Sequence, residues 1–137
     1  MKHAPGFLEL VDDAKSRIRQ TSAQEVKKRL DAKERFTLID VREENEWAKG
    51  HLPGAVHMCK GIIERDIENA VPIKGTPMVL YCGGGFRSVL VADNLQKMGY
   101  ISVLSMDGGW RGWLDAGYPT EKDEPQAAAE ASGSSGL

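Results

Sequence analysis

Between Met78 and Met98 the chain turns from apolar to glycine-rich to amphipathic, with one cysteine at the first junction. Met78-Val79-Leu80-Tyr81 has the composition of a buried strand. Cys82-Gly83-Gly84-Gly85-Phe86-Arg87-Ser88 follows as a loop. Ser88 to Met98 then carries Val89, Ala92 and Leu95 on one helical face, and Gly99 supplies a C′ residue. A strand that ends in a glycine turn and continues as a helix leaves few architectures open. The helix must fold back onto the strand's own sheet, which is half of an α/β layer. The junction also carries chemistry. Successive backbone N–H groups in such a loop converge on negative charge, and the helix start adds its positive end. Both favour thiolate over thiol, so Cys82 is expected to be a nucleophile rather than an inert core residue.

The rest of the chain repeats the alternation. Phe7 to Lys15 reads as a short helix against the domain, with Leu8, Val11 and Ile18 as its apolar stripe. Ser22 and Glu25 have the spacing of a capping box, opening a helix that ends near Lys33. Phe36 to Val41 is a nearly continuous apolar strand, as in a parallel sheet covered on both faces. Arg42 to Trp47 starts an acidic helix stopped by Gly50. Ala55 to Met58 is a brief strand, Ile62 to Ala70 a short helix and Ile101 to Leu104 another strand. Asp107-Gly108-Gly109-Trp110 turns into a last helix, where Trp110 and Trp113 share a face. The expected fold is a three-layer α/β/α sandwich with a central, mainly parallel β-sheet. Its organisation is a helical extension over 1–20, a domain over 21–119 and a small, polar, disordered tail over 120–137. Ligands of such sheets bind beyond the carboxyl ends of strands, where Cys82 and Arg42 both stand.

Composition narrows the partners. The chain has 137 residues, one domain's worth, with 18 basic and 20 acidic side chains and no basic tract. That argues against nucleic acid. No apolar run is long enough to span a bilayer, and Glu9, Asp12 and Asp13 interrupt the first one, so neither a membrane nor a signal peptide is expected. The expected compartment is cytoplasmic, with reduced thiols. Cys59 and Cys82 make no disulfide framework, and with His3, His51 and His57 they show no zinc-ligand spacing, so no metal is expected.

Five segments, in order, resemble the rhodanese sulfurtransferase domain. They are Leu38-Ile39-Asp40-Val41-Arg42-Glu43, Gly50-His51-Leu52-Pro53-Gly54-Ala55, Tyr81 to Ser88, Gly99-Tyr100 and Met106-Asp107-Gly108-Gly109-Trp110. The resemblance runs from about Thr21 to Pro119, with Leu52 where isoleucine is commoner. It implies that Cys82 takes the outer sulfur of thiosulfate or a persulfide donor and passes it to cyanide or a thiol. It implies neither metal nor organic cofactor, and it admits a protein persulfide as partner. The segment before Thr21 is not explained by it.

Residue roles follow with their alternatives. Gly83, Gly84, Gly85, Phe86, Arg87 and Ser88 form the anion loop, and some glycines need positive φ. Arg87 either attracts an anionic donor or turns outward into an ion pair. Phe86 either walls the entrance or anchors the loop. Arg42 is a rim residue or the partner of a loop carboxylate. Asp40 is structural, accepting loop N–H groups, and His51 ties two segments through its ring nitrogens. Cys59 follows a strand on the same side and is a candidate resolving thiol. Two rival functions remain. A cysteine phosphatase would use Cys-x5-Arg, whereas this loop is Cys-x4-Arg. A persulfide carrier or binding module for a protein partner differs only in substrate.

Overall fold

The computed structural model describes residues 2–123. Helices α1 (Pro5–Lys15), α2 (Ala23–Asp31), α3 (Glu44–Ala48), α4 (Ile63–Ala70), α5 (Arg87–Lys97) and α6 (Gly109–Asp115) alternate with five strands. The strands are β1 (Arg19–Thr21), β2 (Thr37–Asp40), β3 (Val56–His57), β4 (Met78–Tyr81) and β5 (Val103–Met106). They form one sheet in the order β1-β5-β4-β2-β3, and every ladder is parallel. The expected α/β sandwich with a parallel sheet is the fold.

Strand alternation divides the core into two layers. Met78, Leu80 and Cys82 join Ile39, Val103 and the buried faces of α1, α4 and α5. Val79 and Tyr81 face the other way, with Leu38, Met106, Val26 of α2 and Trp113 of α6. All four β4 residues are buried, which explains the unbroken apolar run. The period of two therefore aims Cys82 at the α5 layer.

Ser22 caps α2, its hydroxyl accepting the Glu25 N–H at 3.0 Å. Gly99 follows α5 at φ 106°, the left-handed position that lets the chain leave the helix. Two strand expectations need correction. Arg19–Thr21 is a strand that the sequence does not announce, because a polar edge strand has no apolar alternation. Backbone pairing to Leu104, Ser105 and Met106 holds it. The last strand starts at Val103 rather than Ile101, since Ile101 is 74% exposed and its N–H goes to the Lys74 carbonyl.

The helical extension packs on α5 through Val11, Ala14 and Ile18, while Leu8 is only partly buried. Arg17 beyond α1 forks Asp93 of α5 at 2.9 and 2.8 Å, and Gln96 donates to the Arg17 carbonyl. At the other end, His51 and Glu121 exchange backbone hydrogen bonds of 2.8 Å. Residues expected to open a disordered tail at 120 are thus tied to the domain as far as Asp123, and 124–137 lie outside the described residues. Among the described residues no helix is long and apolar enough to cross a membrane.

Candidate active site

Cys82 is the first residue past β4, and only 1% of it is exposed. Its Sγ accepts the N–H of Gly85 at 3.2 Å and of Ser88 at 3.4 Å. Among the described residues, these two N–H groups of the loop are the ones that reach sulfur. Ser88 lies in the first turn of α5, so the helix's positive end faces Sγ. The Ser88 hydroxyl stands 3.5 Å from Sγ and 2.8 Å from the buried Ser105 hydroxyl on the neighbouring strand. Sγ, Ser88 and Ser105 form a buried polar chain behind the loop.

Glycine is required where backbones crowd. Gly85 has φ 99°, and a Cβ there would sit 2.9 Å from the Gly108 nitrogen. Gly109 has φ 55°, and a Cβ would overlap the Cys82 carbonyl oxygen. That closeness lets α6 cap the end of β4. Trp110 N–H donates to the Cys82 carbonyl at 2.7 Å and Arg111 N–H to that of Gly83 at 3.0 Å. Gly84 differs, since a Cβ would meet only the Phe86 ring at 3.9 Å.

The charged residues separate into two kinds. Arg87 turns to Glu46 of α3 and forks its carboxylate at 2.9 and 3.1 Å. The guanidinium holds the Glu46 carboxyl below its usual range, and the carboxylate raises Arg87 in return. Arg42 is not on the rim. It is 3% exposed and bound to the fully buried Asp40. Its Nη2 lies 2.8 Å from Asp40 Oδ2 and 2.7 Å from the Gly50 carbonyl, and its guanidinium lies 4.6 Å from the Trp110 ring centre. Asp40 also accepts the Arg42 N–H at 2.8 Å. This pair staples β2 to the turn before β3.

His51 is buried. Its Nδ1 lies 3.0 Å from the Leu52 carbonyl and its Nε2 2.9 Å from the Asp123 carboxylate. It stacks on Trp47 at 3.6 Å, with Asp123 also accepting from the Trp47 indole. These two donors hold the Asp123 carboxyl below its usual range. Cys59 lies two residues past the end of β3, and β2 separates β3 from β4. Two interstrand steps are about 10 Å and a disulfide needs Cα atoms within about 7 Å, so the sheet order argues against a resolving role for Cys59.

Above Sγ opens a cavity of about 720 Å³. Cys82, Gly83, Gly84, Phe86 and Arg87 of the loop line it, together with Arg111, Gly112 and Asp115 of α6. Glu46, His3 and Phe7 complete it. Sequence reasoning missed six of these lining residues: His3, Phe7, Glu46, Arg111, Gly112 and Asp115. Glu46 carries in sequence only the signal of an early acid of its helix, and Arg111 and Asp115 only that of polar residues next to the closing glycine turn.

Residues 22–116 match the family model described as the rhodanese-like domain. YrkF of Bacillus subtilis, provisionally named a sulfur carrier protein, is 31% identical over 98 residues, covering 72% of this chain and 52% of YrkF. The chain thus spans about half the length of that relative. The thiosulfate sulfurtransferase GlpE of Tolumonas auensis is 33% identical over 76 residues, 56% of this chain and 70% of GlpE. Among solved structures, a protein of unknown function from Rhodopseudomonas palustris, described as a possible tyrosine phosphatase, superposes with a TM-score of 0.75. It is 26% identical, over 88% of this chain and 98% of its own.

Proposed function

The chain belongs to the rhodanese-like domain family, and on that premise we propose that it is a sulfurtransferase that carries sulfur on Cys82. The supporting observation is the Sγ environment: two backbone N–H groups and a helix start aimed at one sulfur on the floor of an open cavity. The Cys82 thiolate attacks the outer sulfur of thiosulfate. The S–S bond of the donor breaks, sulfite leaves with its electron pair, and Cys82 becomes a persulfide anion. Cyanide then attacks the terminal sulfur, thiocyanate leaves and the Cys82 thiolate returns. Charge balances at each step, and no proton need be moved by a dedicated base. The Gly85 and Ser88 N–H groups offset negative charge on sulfur throughout. With an organic persulfide as donor the leaving group is a thiolate, and a protein thiol as acceptor makes the same chemistry a carrier function.

A cysteine phosphatase is the competing reading. One observation favours it: Asp115 lines the cavity, and among the described residues it has no cationic partner there. Against it, Arg87 spends its fork on Glu46 rather than presenting it to an oxyanion. Mass measurement tests the proposal. Thiosulfate should add one sulfur to the wild type and none to Cys82→Ser. Loading that persists in that variant, on Cys59, would overturn the assignment.

A further inference from the structure

One wall of the Cys82 cavity comes from outside the stretch that matches the family, which begins at residue 22. His3 and Phe7 line the cavity beside Phe86. The His3 ring meets Phe86 edge-on at 4.6 Å between centres and lies 5.3 Å from Phe7, and Phe7 is 6.3 Å from Phe86. The wall is held in place, because α1 packs on α5 and the Arg17–Asp93 fork pins it. The α6 part of the lining is charged. Arg87 is occupied by Glu46, but Arg111 makes no ion pair among the described residues and is exposed to the cavity side. Asp115, one turn further along α6, lines the same opening.

Thiosulfate is a small dianion with no apolar group to lay against the aromatic wall. A cavity of about 720 Å³ is of the size that encloses an organic ligand of many heavy atoms. We propose that His3, Phe7 and Arg111 make this cavity selective among the thiols and persulfides that such a site takes. An apolar group lies against His3, Phe7 and Phe86, and one carboxylate lies at Arg111. Asp115 repels a second negative charge, so a singly charged carrier is preferred. This rests on the sulfurtransferase reading and gives the substrate class of the same site. As acceptor, the organic thiolate attacks the terminal sulfur of the Cys82 persulfide. The Cys82 S–S bond breaks, Cys82 leaves as thiolate and the organic persulfide anion departs.

The test uses three thiols that share one mercaptoacetyl amide: mercaptoacetyl-phenylalanine, mercaptoacetyl-glycine and mercaptoacetyl-phenylalaninamide. The full chain is loaded with thiosulfate, freed of donor, and discharged by each thiol while persulfide is followed by mass. The phenylalanine acid should reach half-maximal discharge at a concentration about tenfold below the glycine acid, as expected for a buried ring. It should lie about three- to tenfold below the amide, as for one exposed charge contact. Phe7→Ala should erase the first difference and Arg111→Gln the second. A protein that loads sulfur but discharges equally to all three thiols overturns this inference and leaves sulfur transfer standing. So does a preference that survives both substitutions. Failure to load any sulfur overturns the reading beneath it. The wild-type comparison needs no variant, so a Phe7→Ala protein that does not fold leaves it decisive.

Discussion

Arg87 and Glu46, forty-one positions apart, close into a two-point fork across the mouth of the cavity, at 2.9 and 3.1 Å. The loop arginine is thereby tied to α3, and Glu46 Oε1 also accepts the Glu43 N–H at 3.0 Å. A guanidinium held this way positions the loop more than it reads the donor. Arg87→Met should therefore lower turnover equally with thiosulfate and with a neutral persulfide donor, and lower the melting temperature. Glu46→Gln should copy both effects. A KM increase confined to thiosulfate would assign donor recognition to Arg87. Lysine is no conservative control, since it lacks the planar fork.

The same pair sets a pH dependence. Glu46 is held below its ordinary value of 4.5, chiefly by the Arg87 hydrogen bonds. A carboxyl that is more acidic in the folded state stabilises the fold above its ordinary value. That contribution falls away as pH drops from 4.5 through the lowered value. Both side chains are about a third exposed, so solvent screening keeps the contribution below about 1 kcal/mol. Urea midpoints from pH 7 downward should show wild type and Glu46→Gln converging below pH 4.5. A constant gap would place the stabilisation elsewhere.

How much of this was legible in sequence depends on locality. β4, its loop and α5 follow from one contiguous stretch, because burial, turn chemistry and helical period change at Cys82 and again near Ser88. β1 was invisible: Arg19-Gln20-Thr21 pairs through its backbone alone, and its side chains do not report that. The β5 start moved because Ile101 is apolar yet exposed. Arg42 and Asp40 were recognised as a strand-end pattern, but only the fold buries them together. The partners Arg87–Glu46 and His51–Asp123 join positions that no period connects, and the wall of His3 and Phe7 appears only when α1 is laid on α5.

Arg42 and Asp40 should prove structural. Both are nearly or fully buried, and removing one partner leaves the other charge uncompensated at a cost of about 3–5 kcal/mol. Arg42→Met should lose that much in urea unfolding, while the fraction still folded keeps its KM for thiosulfate. A variant of undiminished stability with a raised KM would put Arg42 at the substrate instead.

Gly85 and Gly84 should respond differently to one methyl group. Alanine at Gly85 combines φ 99° with a contact of 2.9 Å to the Gly108 nitrogen, a strain of about 1–3 kcal/mol. Relief of that strain would draw the Gly85 N–H off Sγ. Alanine at Gly84 meets only a ring at 3.9 Å, so stability should change by less than about 1 kcal/mol while the methyl intrudes on the cavity. Gly85→Ala should thus unfold earlier and load sulfur slowly. Gly84→Ala should melt near wild type and turn over more slowly. Equal melting of the two would mean that the loop tolerates side chains at positive φ.

Sulfur transfer, not phosphate hydrolysis, should be the chemistry of this loop. Four residues separate Cys82 from Arg87, and the arginine faces Glu46. A phosphoryl group needs its equatorial oxygens met by a wider ring of donors, whereas a single sulfur is met by the Gly85 and Ser88 N–H groups already in place. Asp115 is the one cavity carboxylate left to protonate a leaving alkoxide. The comparison is made on the unaltered protein, with thiosulfate plus cyanide in one assay and an aryl phosphate in another. Thiocyanate should form and phosphate should not, and Asp115→Asn should leave thiocyanate formation in place. Inserting one residue between Gly85 and Phe86 should abolish sulfur transfer, because it moves the α5 start away from Sγ. It need not create a phosphatase, since in-line attack demands alignment that a longer loop alone does not supply. Phosphate release that depends on both Cys82 and Asp115, with no Cys82 persulfide from any sulfur donor, would reverse the assignment.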